Sequence, residues 1–345
     1  MSDARPVVFM HMMKTGGLTM VNVLREAYGV DRTFKLGNTR GNEFTYIRDL
    51  EDAAENPDIQ VFIGHFGWGV GRLFDRPVRY LTILRHPVDR VLSLYQYSSS
   101  EPCSVDGLMR FVAATPEARN GVVRRLNGLA TADFGANDYR AIDWRAMLPA
   151  DIGIELSNDH LAAATDNLGR FTAVGLQERY PETLLLFRDR LDSPPLFNIR
   201  RPFLNNSAVA LTRQDIDPMV AEAILDHNRL DLALYEKAEA AFRQHVGDLQ
   251  NRRPVEMAVQ RLLNDGLRQR GKQVLEEDEA FEILQTKING LLQSGKLAET
   301  ACLLIYLLSK PLDRETASTC LALLQKIGSE EDIAREEEAF RQRYG

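Results

Sequence analysis

The fold class is indicated first by residues 6–29, which read PVVFMHMMKTGGLTMVNVLREAYG. Its first part, residues 6–12, is a short apolar run with β-branched residues, which is typical of a buried parallel strand. The glycines in KTGG, residues 14–17, require a turn. Residues 18–29 then place apolar side chains at helical spacing and end at a glycine, which predicts a helix. The chain therefore begins with a strand, a glycine turn and a helix.

The same alternation of strands and helices continues along the chain. Apolar runs predict strands at 59–63, 78–84 and 171–176, and amphipathic runs predict helices at 87–97 and 181–191. Strands that alternate with helices form α/β sheets. We therefore expect an α/β fold with a P-loop-like parallel sheet flanked by helices.

The composition changes near residue 250, where the strand and glycine signals fade. This change predicts two domains, one at 1–249 and an all-helical C-terminal extension at 250–345. Two stretches of the extension, starting at Leu291 and Leu323, are loosely alike. They suggest a helix-turn-helix repeat, although chance similarity within a helical cap explains them as well. These helices are candidates for contact with a protein partner or a second copy of the chain.

The overall composition is that of a soluble globular protein, with 345 residues, 44% hydrophobic and 26% charged. The formal net charge of -7 argues against a general nucleic-acid binder, which is usually basic. The three cysteines have no paired spacing, and no cluster of carboxylates or histidines indicates a metal site. Neither a signal-peptide pattern nor an apolar run of membrane-spanning length is present, so we expect a cytoplasmic protein.

The first chemical motif is HMMKTGGLTM, residues 11–20, between the first strand and its helix. Glycines let the backbone approach a bulky anion, and amides at the helix N-terminus point towards it. Lys14 adds a positive charge, while Thr15 and Thr19 add hydroxyls. The glycines follow the lysine, whereas they precede it in a Walker A loop. The motif predicts a phosphate site, and the alternative is a purely structural turn.

The second motif is LRHPVDRVLSLY, residues 84–95. Arg85 ends a predicted strand, where open α/β sheets bind their ligands. Ser93 follows two helical turns later, so both side chains can reach one phosphate. In the alternative interpretation, these are a surface arginine and a helix serine that share no ligand.

Together, the two motifs resemble those of the carbohydrate sulfotransferases that use 3'-phosphoadenosine-5'-phosphosulfate (PAPS). The likeness is to the branch that contains heparan sulfate 2-O-sulfotransferase and its bacterial relatives. Segments at 120–128, 171–179 and 228–235 are similar to further family segments, so the likeness spans about residues 6–245. Two positions depart from the family pattern, because Leu18 replaces a threonine and Met13 replaces a proline. Both changes predict weaker PAPS binding rather than loss of activity.

The resemblance implies a set of donor contacts without any metal. Lys14 would neutralise charge on the leaving oxygen as PAPS becomes the product PAP, and Arg85 and Ser93 would bind the 3'-phosphate. The remaining implied contacts to the 5'-phosphate are Thr15, Gly16, Gly17, Leu18 and Thr19. The remaining implied contacts in the 3'-phosphate pocket are Arg201 and Ser207.

A general base is needed for the acceptor hydroxyl, and His65 in the segment GHFG is the candidate that the resemblance implies. The alternative for His65 is a buried histidine that hydrogen-bonds within a loop. Glu178 is the rival base, although we expect it to pair with an arginine such as Arg179. His11 is predicted to pack within the first strand.

The acceptor is predicted to be a saccharide, a glycolipid or a related molecule with a hydroxyl group. Arg124 and Trp68 are the candidate acceptor contacts, because sugar rings stack well on aromatic side chains. Two other functions stay open at this point. One is a P-loop-like enzyme that transfers phosphate, and the other is a non-catalytic nucleotide-binding module with a partner-binding helical domain. Binding of PAPS rather than ATP would separate the sulfotransferase from the first of these, and unchanged turnover of a Lys14→Ala variant would contradict a catalytic role.

Overall fold

The structure is a computed structural model, and it describes residues 5–38, 44–45, 47–98, 104–127, 155–191, 211–270, 277–309 and 312–344. The described chain divides into two compact units, one up to Val246 and one from Gly247 onward.

The first unit is built on a parallel sheet of five strands. Their order is β2-β5-β1-β6-β7, and every neighbouring pair is parallel. The strands are β1 (Val7–Met10), β2 (Thr33–Lys35), β5 (Val61–Gly64), β6 (Arg79–Leu84) and β7 (Ala173–Leu176). A separate antiparallel pair is formed by β3 (Gly37–Asn38) and β4 (Phe44–Thr45). The predicted α/β fold with a parallel sheet is confirmed.

Helices connect and flank these strands. They are α1 (Gly17–Tyr28), α2 (Ile47–Glu55), α3 (Pro87–Ser98), α4 (Val105–Ala114), α5 (Gly121–Leu126), α6 (Asn158–Leu168), α7 (Tyr180–Leu191), α8 (Pro218–Asp226) and α9 (Arg229–Arg252). Pro87 starts α3, where its missing N–H costs no hydrogen bond. The predicted helices at 87–97 and 181–191 therefore exist, with ends one residue away.

The predicted strands also exist but are shorter than their apolar runs. The run at 6–12 gives a strand of four residues, because the chain leaves the sheet after Met10. All four residues of β1 and of β5 are buried, which explains why these strands show no polar alternation. β2 has only three residues and lies at the edge of the sheet, and it was not among the predicted strands.

The second unit contains only helices among its described residues. They are α10 (Pro254–Arg270), α11 (Glu277–Gln293), α12 (Leu297–Leu308), α13 (Arg314–Ile327) and α14 (Glu330–Tyr344). Its apolar core includes Leu263, Leu304 and Leu324, which are fully buried. The confirmed fold class includes this helical C-terminal region.

The two similar stretches of the second unit each lie across a helix–turn–helix connection. The stretch from Leu291 joins α11 to α12, and the stretch from Leu323 joins α13 to α14. Their turns differ, because Gly295 has a φ of 69° whereas Gly328 has a φ of -79°. The likeness therefore covers the helix ends but not the backbone of the turn.

Candidate active site

Polar side chains follow three strands at one edge of the sheet. His11 follows β1, His65 follows β5 and Arg85 follows β6, each directly after the last strand residue. These strands are adjacent and parallel, so the three residues emerge side by side at the carboxyl edge. Ligands bind at this edge in open α/β sheets.

The loop between β1 and α1 leads into an open helix N-terminus. Gly16 precedes α1 with a φ of 82°, a left-handed conformation that favours glycine. None of the described side chains caps this N-terminus, and the first turn of α1 has no acidic residue. Free amides and the positive end of a 12-residue helix are therefore available to an anion.

Lys14 is held by contacts on both sides of this loop. Its backbone has a φ of 65°, which is uncommon for a residue with a side chain. Its carbonyl accepts a hydrogen bond of 3.2 Å from Arg85 Nη1, and its ammonium lies 4.2 Å from the centre of the Tyr97 ring. Burial, followed by the charge of Arg85, lowers the pKa of Lys14. The two predicted phosphate-binding motifs therefore meet at Lys14.

The threonines of the loop use their hydroxyls within the protein in this conformation. The buried Thr15 hydroxyl donates to the carbonyl of Met12 at 2.9 Å, and Thr19 hydrogen-bonds the phenol of Tyr180. That phenol also donates to the carbonyl of Gly16 at 3.2 Å. The side chain of Leu18 is 62% exposed. The backbone amides are thus the groups of this loop that remain for a phosphate, and the predicted hydroxyl contacts stay predictions.

His65 is fixed in one tautomer by a main-chain contact. Its Nδ1 lies 2.6 Å from the carbonyl oxygen of His11. A carbonyl only accepts hydrogen bonds, so Nδ1 carries the proton and Nε2 carries a lone pair. Burial, followed by the charge of Arg125, lowers the pKa of His65 to about 4. The ring is therefore neutral at pH 7 and able to accept a proton at Nε2.

His11 packs as predicted, but it lies one residue after the first strand and its ring contacts His65. The strand ends at Met10, and the His11 ring stacks on the His65 ring with centroids 4.4 Å apart and planes at 27°. The His11 ring also occupies the space beside Gly17, where a Cβ atom would collide with it. Burial and the nearby His65 lower the pKa of His11 well below its usual value.

The loop that carries His65 is anchored by a buried ion-pair cluster. Arg125 donates to the carbonyl of His65 at 2.6 Å and pairs with Glu117 at 3.1 Å. Glu117 also pairs with Arg90, which in turn pairs with Asp231 at 3.2 Å. We call these four charged residues, Arg90, Glu117, Arg125 and Asp231, the buried charge cluster.

Asp231 connects the buried charge cluster to α5. Its two carboxylate oxygens accept the amides of Val122 and Val123 at 3.1 and 2.8 Å, so the carboxylate caps the first turn of the helix. Two of the segments that resemble the carbohydrate sulfotransferases, at 120–128 and 228–235, therefore contact each other through Asp231. Their contacts support the loop of His65 through Arg125.

Arg85 has a donor group that is still available. Its Nη1 binds Lys14, but its Nε is buried without a hydrogen-bond partner among the described residues. Burial, although opposed by Asp89 and Glu178, lowers the pKa of Arg85. Ser93 lies two turns along α3 and is half-buried. A buried guanidinium N–H that lacks an acceptor fits a site for an anionic group such as the 3'-phosphate of PAPS.

Comparison with known proteins identifies the family of this chain. The profile of the galactose-3-O-sulfotransferase family matches residues 2–327 of the 345. The chain belongs to the galactose-3-O-sulfotransferase family. It is a sulfotransferase, and the sulfate donor of the family is PAPS. A search of curated proteins found no match.

The match to the galactose-3-O-sulfotransferase family extends beyond the motifs. The resemblance based on motifs ends near residue 245, whereas the match continues to residue 327 and takes in the C-terminal helices up to α13. Among the residues that the structure describes, none of the helices is long and apolar enough to cross a membrane. The described residues also contain no group of histidine, cysteine or carboxylate side chains that could hold a metal ion.

The rival base of this sulfotransferase is held through one of its two carboxylate oxygens. Glu178 Oε1 accepts the backbone amide of His86 at 2.7 Å, whereas Oε2 is buried without a hydrogen-bond partner among the described residues. Arg179 pairs with Glu182 at 3.2 Å rather than with Glu178, and the arginine that the charge of Glu178 influences is Arg85, whose pKa it raises. Glu178 therefore connects the 3₁₀ turn after β7 to the start of α3.

The predicted acceptor residues have different surroundings. Trp68 is half-buried and packs between Tyr80 and Phe171, with ring centroids 5.0 and 5.9 Å away. Arg124 is only 7% exposed. Both roles stay predictions. Two further predicted donor residues, Arg201 and Ser207, lie outside the described residues.

Several residues of the site were missing from the predicted set. Tyr97 lies under Lys14, and Arg125 and Glu117 support His65. His11 could have been found from the sequence, because it follows a buried strand as His65 and Arg85 do. The ion pairs could not, since no short-range pattern relates their members.

Proposed function

We propose that this enzyme transfers the sulfuryl group of PAPS to the 3-hydroxyl of a galactose-containing acceptor, with His65 as the general base. The observation that carries the proposal is the neutral His65 ring, whose Nδ1 proton is held by His11 and whose Nε2 lone pair is available. The family match supports galactose as the acceptor sugar. The likeness of GHFG to the 2-O-sulfotransferases supports the role of His65.

The reaction needs one proton transfer and one exchange of S–O bonds. Nε2 of His65 takes the proton of the acceptor hydroxyl while the acceptor oxygen bonds to sulfur. The bond between sulfur and the 5'-phosphate oxygen breaks, and PAP leaves with the electron pair. A general base of this kind contributes on the order of 10² to 10⁴ in rate.

Positive groups would stabilise the leaving phosphate. Lys14 and the free amides of α1 are assigned to the 5'-phosphate, where negative charge grows as the bond to sulfur breaks. Contacts that strengthen in the transition state raise turnover as well as affinity. The lowered pKa of Lys14 shows that its charge is poorly solvated and would gain from an anionic partner.

The opposite end of the donor is assigned to Arg85 and Ser93. The unpartnered Nε of Arg85 supports this assignment, because it would gain an acceptor from the 3'-phosphate. Recognition of that phosphate would distinguish PAPS from ATP. Arg201 and Ser207 complete the proposed pocket, and Trp68 and Arg124 are assigned to the acceptor.

A direct test supplies PAPS together with lactose, 3'-deoxylactose or a heparosan disaccharide. The proposal predicts transfer to lactose, with nuclear magnetic resonance placing the sulfate on the galactose 3-oxygen, and no transfer to the 3'-deoxy sugar. Equal transfer to the 3'-deoxy sugar would exclude the 3-hydroxyl. Transfer only to the heparosan disaccharide would instead favour the 2-O-sulfotransferase branch. ATP in place of PAPS is the donor control.

A further inference from the structure

His11 has contacts that reach both the proposed base and the proposed donor loop. Its carbonyl accepts the Nδ1 proton of His65, and its ring stacks on the His65 ring at 4.4 Å. The His11 ring also lies against Gly17, the first residue of α1. A single side chain therefore lies between the two halves of the site.

We infer that the His11 side chain is a positioning residue, which fixes the His65 ring relative to the donor-binding end of α1. This inference rests on the proposed role of His65 as the base. The hydrogen bond from Nδ1 holds one atom of the His65 ring but leaves the plane of the ring free to tilt. The stacked His11 ring restricts that tilt and so directs Nε2.

The contact with Gly17 sets the distance between the base and the donor. The three atoms nearest to a Cβ built on Gly17 all belong to the His11 ring, and Gly17 does not have a left-handed φ. The backbone would therefore accept alanine at this position, and only the His11 ring excludes it. Glycine is required at position 17 because the His11 ring fills the space of a side chain. Close approach of a phosphate to the backbone would be a second reason.

Both rings are neutral at pH 7 in this arrangement. Burial lowers the pKa of each ring, and the surrounding cations Lys14, Lys35 and Arg125 act in the same direction on one or both. The charge of the Glu117 carboxylate acts in the opposite direction and raises the pKa of the His65 ring. A neutral His11 can stay stacked on His65 when His65 accepts the proton, whereas a protonated His11 would repel it.

The first experiment compares His11→Ala with His11→Phe in the full-length enzyme. His11→Ala removes the stack and should lower kcat on the order of 10- to 100-fold, the cost of a misplaced catalytic group. His11→Phe keeps a flat ring and should recover most of kcat. PAP affinity, measured by calorimetry, should change by less than about twofold in both, which excludes misfolding as the cause.

The pH profile gives a readout that a merely structural role would not move. Loss of the His11 ring exposes His65, so the acid limb of kcat/KM in His11→Ala should move from about 4 towards 6.5. A wild-type kcat and an unmoved acid limb in this variant would overturn the inference.

A second experiment tests the contact with Gly17 through a double-mutant cycle. Gly17→Ala alone should displace the His11 ring and lower kcat, whereas Gly17→Ala in the His11→Ala background should cost little more. Equal costs in both backgrounds would contradict the contact. His65→Ala separates the two proposals: if it keeps wild-type turnover, the base assignment fails. If His65→Ala is inactive while His11→Ala is normal, only the positioning role fails.

Discussion

At residue 65, the surroundings of the imidazole determine its chemistry. The carbonyl of His11 holds the proton on Nδ1, and burial with the charge of Arg125 lowers the pKa to about 4. The free lone pair at Nε2 is therefore available over the whole neutral range. A typical histidine with a pKa near 6.5 would be partly protonated at the lower end of that range.

This environment of His65 predicts that kcat/KM falls at an unusually low pH. Protonation of Nε2 removes the base, so kcat/KM should stay level from pH 7 towards pH 5 and fall as the pH drops through about 4. An acid limb near pH 6.5 would contradict the proposed environment of His65. The measurement is a pH–rate profile with PAPS and lactose at constant ionic strength.

Stability must be followed in the same experiment. The folded-state pKa values of His65 and His86 lie near 4, below the usual 6.5, so the unfolded chain binds protons first as the pH falls. Their contribution to stability is complete above pH 6.5 and is lost as the pH falls towards 4. Circular dichroism at each pH distinguishes loss of the base from loss of the fold.

The sequence indicated His65 as a candidate base but not its tautomer or its pKa. A glycine–histidine pair after a buried strand indicated the residue. The tautomer depends on a carbonyl 54 positions earlier, and the pKa depends on an arginine 60 positions later. Neither partner can be read from local spacing.

At the scale of elements, the short helix α5 links the buried charge cluster to the site. Asp231 caps its first turn, and Arg125 near its end holds the carbonyl of His65. Helices of six residues are too short to be stable alone, so α5 depends on these tertiary contacts. The cluster therefore serves the site through the position of one helix.

Glu117→Gln tests this dependence on the cluster. Although burial alone would raise the pKa of Glu117, the charges of Arg125 and Arg90 keep it lowered, so the residue is ionised at pH 7. Its neutralisation leaves the buried Arg125 without its carboxylate partner and leaves Arg90 with Asp231 alone, and it should cost about 3–5 kcal/mol of unfolding free energy. Urea denaturation measures this, with the exposed Glu236→Gln as the matched control. Equal stability of the two variants would contradict the importance of the cluster.

Strands and helices differ in how far the sequence predicts them. β1, β6 and β7 lie within predicted apolar runs and β5 extends one residue beyond its run, since burial on both faces demands such runs. β2 could not be predicted, because three residues give too short a pattern. The buried charge cluster could not be predicted either, because its members are distant in sequence: Arg90 and Asp231 lie 141 positions apart.

On the scale of the whole molecule, the proposed donor-binding residues that the structure describes all lie in the first unit. The second unit has its own apolar core, yet the family match includes most of it. A change in composition near residue 250 predicted a separate helical domain, and its role could not be predicted because none of the motifs extends into it.

Truncation after Arg252, which keeps α9 whole, tests whether the second unit contributes to donor binding. Since the described donor residues precede this point, PAP affinity should stay within about twofold of the full-length value by calorimetry. Loss of PAP binding by a truncated chain that retains its circular dichroism spectrum would mean that the C-terminal helices contribute to the donor site.

The most direct test of the central claim is the turnover of His65→Ala at saturating PAPS and lactose. If His65 is the base, kcat should fall on the order of 10² to 10⁴, while PAP affinity and the turnover of the exposed control His227→Ala should stay at the wild-type level. A His65→Ala enzyme with wild-type kcat would contradict this role of His65, because the acceptor proton would then have to leave by another route.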